Sequence, residues 1–564
     1  MDYKKKIAEL INIEGVSADE IFGMLAFPKD LSMGDYCLPC FKFAGKLRKA
    51  PVMIANELKD GIDLSKNTWL EKVESVAGYL NFTLNKSDYA DKIIGKILSD
   101  GENYGKSDMG KGKTVCIDYS SVNIAKPFHI GHLSTTVIGA ALYRIYKALG
   151  YEVVGINHLG DWGTQFGKLI SAFKRWGNKE DIEKRGIKAL FEIYVRFHSE
   201  EKENPALADE GRAWFKKIED GDKEATELFS FFREVTLKEV EKLYERLGVK
   251  FDSYCGESFY NDKMQPVLDE LEQKGLLTES EGAKVVNLDS YDMPPCLLVK
   301  ADGATLYATR DMAAAFYRKQ TYDFDKCLYV VAYQQNLHFK QWFKVVELME
   351  KEWYKDLVHV AFGMVSLEDG AMSTREGRVV FLEEVLDKAV KKAGDIINEK
   401  NPNLKDKEKI SEQVGVGAVV FSALCNNRIK DIVFNFDKVL NFDGETAPYL
   451  QYTTARCNSV IEKAGESDLV PDYSGVTSAV GAELINVLSR FSQVVKDSAE
   501  KYEPSFVTRY LLNVAGLYNK FYFEHKIITD DKNIQQARLN LTKATRTVLK
   551  NGLALLGIQA PERM

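Results

Sequence analysis

The stretch that most restricts what this chain can fold into runs from Thr114 to Ile156. A short β-branched apolar run, Thr114 to Ile117, is followed by a polar loop. Leu133, Val137, Ile138, Ala141, Leu142, Ile145 and Leu149 then recur at helical spacing up to Gly150. A second buried strand, Val153 to Ile156, follows at once. Strand, loop, helix and strand read as a βαβ unit, whose first loop lies at the carboxyl end of a strand and the N-terminus of a helix. Anions bind at such places. The loop has no GxGxxG, and the near misses Gly105-Lys-Ser107 and Gly112-Lys-Thr114 have the wrong spacing and precede the strand. It offers instead two imidazoles, His129 and His132, three apart and so on one side of a first helical turn, with Gly131 between them. A position without a side chain lets a flat ring approach the backbone, so the imidazoles suit phosphate oxygens while an adenine packs at Gly131. On its own, HxGH reads as a helix start with two polar caps.

Composition narrows the class. A chain of 564 residues, 45% hydrophobic and without low-complexity segments, should form roughly three or four domains with ample cores. No apolar h-region follows the initial Met-Asp-Tyr-Lys-Lys-Lys, and no apolar run approaches about 18 residues, so a soluble protein with no membrane partner is expected. Eight scattered cysteines suit reduced thiols in a cytoplasm. Cys37-Leu-Pro-Cys40 has CxxC spacing, but no second Cys/His pair completes four zinc ligands, so it reads as a structural pair and no metal site is expected. The net charge is −7, yet residues 501–564 hold 10 Lys+Arg against 5 Asp+Glu, which is +5 and leaves −12 for the first 500. A polyanion would meet the C-terminus, although an ordinary solvated helix face gives the same numbers.

Two longer stretches go beyond patterning. Ser121-Val-Asn-Ile-Ala-Lys-Pro-Phe-His-Ile-Gly-His-Leu-Ser-Thr135 and Asn157-His-Leu-Gly-Asp-Trp-Gly-Thr-Gln-Phe-Gly167 resemble the arginyl-tRNA synthetases, with His129 to His132 matching the HIGH signature of the class I aminoacyl-tRNA synthetases. The resemblance extends across nearly the whole chain. It implies an α/β protein: a Rossmann-type parallel-sheet catalytic domain, a small α/β N-terminal domain and an all-α C-terminal bundle. Residues 1–110 would be the added domain that touches the outer corner of tRNA, with Lys46 to Leu58 helical and Gly78 to Thr83 a strand. Residues 111–400 would be catalytic, with a helical insertion at about 171–252, where long charged patterns such as Asp222 to Leu247 interrupt the sheet rhythm. The sheet resumes with strands at Cys296 to Lys300, Ala304 to Tyr307, Lys326 to Ala332 and Leu357 to Phe362, and with helices at about Thr309 to Lys319 and Leu337 to Glu350. Residues 401–564 would be the anticodon-binding domain.

A site that selects arginine needs carboxylate acceptors and a flat or hydrogen-bonding wall for a permanently charged guanidinium. Tyr307 and Asp311, four apart at a helix start, and Gln335, ahead of Asn336-Leu-His338, match the family's side-chain pocket: Asp311 would take the guanidinium, Tyr307 would wall it and Gln335 would add an acceptor. Ser121, Asn123 and His132, with Asp118 nearby, match contacts to the α-amino and carboxylate end. Without the flanking motif, Asp311 would read as a first-turn acid favoured by the helix dipole.

The second class I signature, KMSKS, has the counterpart Ala371-Met-Ser-Thr-Arg375, in which both lysines are missing. Met372 and Ser373 join His129, Gly131 and His132 as expected ATP contacts, Arg375 is the pentapeptide's cation, and the resemblance suggests that Lys126 compensates for the degenerate loop. In the C-terminal third, Tyr449, Tyr452 and Arg456 offer aromatics interleaved with a cation for stacking on unpaired tRNA bases, and a packed helix stripe fits the two tyrosines as well. The implied reaction is ligation of L-arginine to its tRNA through arginyl-adenylate, with AMP and pyrophosphate released. ATP, with Mg2+, would be the cofactor and a monomer the expected state. A catalytically silent tRNA-binding paralogue would also lack the loop lysines, but the intact HxGH and pocket residues speak against it. A class I ligase for another amino acid would not place Tyr307 and Asp311 at this spacing.

Overall fold

Four parallel strands carry the signature loop. In the computed structural model, which describes residues 3–28, 30, 33–301, 303–367, 379–435, 444–465 and 469–564, they lie in the order Leu357–His359, Lys326–Tyr329, Thr114–Asp118, Glu152–Ile156. Val115, Cys116 and Ile117 are wholly buried, as expected of a parallel strand covered on both faces. The chain leaves Thr114–Asp118 to one neighbour through the helix Gly131–Ala148, and only much later fills the place on the other side with Lys326–Tyr329. The strand order therefore reverses beside Asp118, and a crevice at the carboxyl ends of strands at such a point is where open α/β sheets bind ligands.

The Gly131–Ala148 helix is buried on nearly every side, and close packing fixes it against the loop before it. A Cβ at Gly139 would lie 2.3 Å from Tyr119 Cβ. Tyr119 cannot yield easily, because its hydroxyl donates to the Lys250 carbonyl at 2.8 Å and its ring packs 4.6 Å from Phe251. Gly139→Ala should thus cost about 1–3 kcal/mol of stability, read as a lower urea midpoint. An unchanged midpoint would mean that Tyr119 moves freely.

The chain divides into two compact units: 1–104, 456–491 and 513–549 in one, and 105–455, 492–512 and 550–564 in the other. The second unit contains the sheet, and after Gly163 come the helices Thr164–Trp176, Lys179–Arg185, Ile187–Glu203, Ala206–Glu219 and Lys223–Arg246, where the charged helical patterns stood in the sequence. A three-stranded antiparallel sheet, Leu277–Ser280, Ala283–Val286 and Cys296–Val299, precedes the helix Tyr307–Tyr322. The strand expected at Ala304 to Tyr307 is instead an isolated bridge, Val299 to Thr305, and Tyr307 opens the helix. The first unit includes the antiparallel sheet Tyr36–Pro39, Tyr79–Leu84, Leu70–Val76 over a core of Ile7, Leu38, Phe43, Ile54 and Phe82. Its expected helix from Lys46 to Leu58 is two: Ala44–Leu47 ends at left-handed Arg48, and Pro51 starts Pro51–Asp60 at a position where its missing N–H costs nothing. Cys37 and Cys40 are free and buried, and burial pushes the Cys40 thiol up to about 11.

The C-terminal third is helical, with Lys407–Leu424, Ala447–Ala464, Ala479–Ser489, Phe491–Glu500, Ser505–Glu524 and Lys532–Leu556. One short strand departs from the all-helical expectation: β-branched Ile432 and Val433 lead Ile432–Phe434, which pairs in parallel with Val365–Leu367. Among the described residues no helix is long and apolar enough to cross a membrane.

Candidate active site

Beyond Asp118 the backbone enters the left-handed region at three residues that are not glycine, Ser120 (φ 68°), Ser121 (φ 46°) and Ala125 (φ 61°). Each costs of order 1–3 kcal/mol and persists only where surrounding contacts over-determine it. Here they do. Ser120 N donates to Thr135 Oγ1 at 3.1 Å, its hydroxyl meets Tyr244 OH and Thr136 Oγ1 at 2.8 Å each, and Ala125 N donates to Thr236 Oγ1 at 3.0 Å. The Gly160 N–H reaches the Val122 carbonyl at 3.0 Å, and Ile124 N returns to the Gly160 carbonyl at 3.1 Å. The helical insertion, through Thr236 and Tyr244, therefore holds the loop in shape.

The two histidine rings lie against each other, centroids 4.0 Å apart and planes tilted by 35°. His129 Nδ1 accepts the Gly131 N–H at 3.0 Å, and His132 Nδ1 accepts the His129 N–H at 3.3 Å. Nδ1 being an acceptor in both, the ring proton sits on Nε2, and each neutral imidazole presents an N–H donor. Burial and then the nearby Lys126 charge bring His129 down to about 4, and burial, His129 and Lys126 hold His132 well below the usual imidazole range. Both rings are neutral donors at pH 7. Together with the positive end of the helix dipole, they make an anion site beside a cation.

Asp118 is only 5% exposed. Its Oδ2 takes Arg318 NH2 at 2.7 Å, and its Oδ1 takes the Ser121 hydroxyl at 2.8 Å. The same Arg318 nitrogen lies 3.4 Å from His158 Nδ1. Asn123 bridges in parallel to Gly160, where a Cβ would fall 2.2 Å from Asn123 Oδ1.

At the other end Asp311 sits on the second turn of Tyr307–Tyr322, one turn beyond Tyr307, and His338 Nε2 lies 2.6 Å from its Oδ2. Burial alone raises the Asp311 carboxyl, but the His338 hydrogen bond, with the His158 and Arg318 charges, brings it below the ordinary carboxylate value. Tyr307 is 65% exposed, and Gln335 is exposed at the entry to Asn336–Leu348. Glu257 and Arg310, which no motif announces, complete this end: Arg310 NH1 stands 3.8 Å from Glu257 Oε2. Burial raises Glu257 to about 7, against the opposing pull of Arg310, with Asp311 and Asp161 adding to the rise. Asp161 is fixed by Ser258, whose N and Oγ donate to it at 2.9 and 3.0 Å, and by Arg233.

The structure thus brings Asp118 and Ser121 into contact and ranges His129, His132 and half-buried Lys126 along the same loop, with Lys126 acting on both rings and on Glu257. Met372, Ser373 and Arg375 lie outside the described residues. Tyr449, Tyr452 and Arg456 stand on the Ala447–Ala464 helix at three- and four-residue spacing, hence on one side of it. The Arg456 guanidinium lies 5.2 Å over the Tyr522 ring, and neighbouring Phe523 is 90% exposed. Among the described residues no group of three or more His, Cys, Asp or Glu is placed to hold a metal ion.

Comparison with known proteins bears on the whole chain. Residues 93–436 match the family described as "tRNA synthetases class I (R), catalytic domain", 450–564 the "DALR anticodon binding domain", and 1–84 the "Arginyl tRNA synthetase N terminal domain". The chain is 54% identical over 568 residues to an arginine–tRNA ligase of Clostridioides difficile and 51% identical over 568 residues to one of Alkaliphilus metalliredigens, with all of both chains covered in each case. Among solved structures, the arginyl-tRNA synthetase of Thermus thermophilus superposes with a TM-score of 0.79 at 26% identity, covering 100% of this chain and 99% of that one.

Proposed function

The chain belongs to the arginyl-tRNA synthetases, and on that footing we propose that arginine lies across the crevice with its guanidinium at Asp311, Tyr307 and Glu257 and its α-end at Ser121 and Asn123. The protein is an arginine–tRNA ligase that uses ATP, L-arginine and tRNA. The observation that carries the placement is that two carboxylates, Asp311 and Glu257, act on one another, one ionised and one near its midpoint at neutral pH.

In this reading the arginine carboxylate attacks the α-phosphate of ATP in line, and pyrophosphate leaves. Arginyl-adenylate then passes its acyl group to a hydroxyl of the 3′-terminal ribose of tRNA, the hydroxyl losing its proton and AMP leaving. No side chain becomes a covalent nucleophile. His129 and His132 donate Nε2–H to phosphate oxygens, Gly131 leaves room for adenine, and Lys126 meets the charge that develops on pyrophosphate. His132 also borders the arginine carboxylate. The donors around this loop are imidazoles and an ammonium, which fit an anion, so any Mg2+ would come with ATP and would be held by its phosphates. Gln335 adds an acceptor for the guanidinium, Met372 and Ser373 of the second signature contact ATP, and Arg375 supplies that signature's cation. Tyr449, Tyr452 and Arg456 meet the tRNA, within a working division of 1–110 for its outer corner, 111–400 for catalysis, with the insertion at about 171–252, and 401–564 for the anticodon. We place the enzyme in the cytoplasm as a monomer.

The test is proton release. A guanidinium beside Glu257 favours its carboxylate, so arginine binding near pH 7 should expel a proton, and the arginine Kd should fall as pH rises through about 7 and level off above it. Calorimetry in buffers of different ionisation enthalpy reads the proton directly, and Glu257→Gln should abolish it. A buffer-independent heat in the wild type would remove Glu257 from the guanidinium site.

A further inference from the structure

Asp311 and Arg318 are seven residues apart on the Tyr307–Tyr322 helix, two turns and roughly 10 Å of rise along one face. Asp311 faces the end of the crevice assigned to the guanidinium. Arg318, 1% exposed with its guanidinium 5.4 Å over the Tyr329 ring, reaches across to the end of Thr114–Asp118 and takes Asp118 Oδ2 at 2.7 Å. The other oxygen of Asp118 takes the Ser121 hydroxyl proton at 2.8 Å. A hydroxyl whose proton is committed inward presents only lone pairs outward. That suits an ammonium and is useless to a carboxylate.

We infer that Arg318 is a positioning residue for the α-ammonium of arginine: it holds Asp118 so that Asp118 turns the Ser121 oxygen, as an acceptor only, toward the substrate. Asp118 then acts through Ser121 without touching arginine. One helix sets both ends of the site, Asp311 by contact and Arg318 through two intermediaries. The inference rests on the placement of the α-end at Ser121 proposed above.

The probe pair is L-arginine and 5-guanidinopentanoate, the same molecule without its α-amino group, bound to the full chain and measured by calorimetry. Wild-type protein should prefer arginine. Arg318→Leu should reduce that preference about 10- to 100-fold, the scale of a charge-assisted hydrogen bond, while affinity for 5-guanidinopentanoate and for ATP stays within about twofold. Removing one partner of a buried ion pair threatens folding, so the double variant Asp118→Ala/Arg318→Leu, which leaves no buried charge unpaired, is measured alongside and should lose the same preference. Ser121→Ala should lose it too. If Ser121→Ala loses the preference and both Arg318 variants keep it, Arg318 is a structural partner of Asp118 and the inference fails while the placement stands. Parallel weakening of both ligands in the Arg318 variants overturns it equally. If Ser121→Ala keeps the preference, the α-ammonium does not lie there, and placement and inference fall together.

Discussion

Asp311→Asn raises the Kd for arginine by two to three orders of magnitude and leaves the Kd for ATP within about threefold. The substitution keeps the shape of the side chain and removes its charge, so what is lost is the pairing of a partly desolvated carboxylate with a guanidinium, an effect of about 2–5 kcal/mol when one partner of such a pair is removed. Asp311 already shares an oxygen with His338 at 2.6 Å, and its carboxyl is held below the usual value by that bond together with His158 and Arg318. It is therefore ionised and oriented before substrate arrives. Citrulline, the same length with an uncharged ureido group, gains little from Asp311, so the variant should bind arginine and citrulline with similar affinity. Equal losses for arginine and ATP, in direct binding measurements, would mean that Asp311 supports the fold and does not meet the guanidinium.

Lys126→Ala lowers kcat for arginine activation by roughly 100- to 1,000-fold and changes the KM for arginine far less. Adenylate formation gathers charge on departing pyrophosphate, and a cation that meets it tightens its hold in the transition state, which acts on kcat. The second signature loop brings no lysine to this task, and Lys126 lies close enough to both histidines to depress them. Arg375→Ala should show a smaller loss of the same kind. Pyrophosphate exchange in the presence of tRNA reads both variants. A wild-type rate for Lys126→Ala beside a dead Arg375→Ala would move the compensating cation to the loop.

What the sequence made legible was whatever chemistry lies in contiguous residues. The strand Thr114–Asp118 was carried by its local apolar run, while the HxGH turn and the Tyr307 to Asp311 spacing are short contiguous motifs that became readable through their resemblance to a known family. His158 and Asp161 were inside a recognised run, yet their partners Arg318, Ser258 and Arg233 come from distant elements that only the folded sheet brings near. Glu257 follows no periodic or motif pattern. Its weakened acidity arises from burial beside Asp311 and Asp161, a property of the fold and of no neighbour in sequence. Asp118 illustrates the opposite case: its position at the strand end was readable, but its commitment of both oxygens, to Arg318 and Ser121, was not. The local misreadings have local causes. Pro51 begins a helix as readily as it breaks one, and alternation around Leu306 imitates a strand where the chain makes one bridge and turns into a helix.

A crystal structure of the full chain with L-arginine bound tests the placement most directly. The guanidinium should lie within ~3 Å of the Asp311 carboxylate, against Tyr307 and Glu257, and the α-ammonium within ~3 Å of Ser121 Oγ. Arginine lying in the reverse direction, or with its guanidinium away from Asp311, would contradict it.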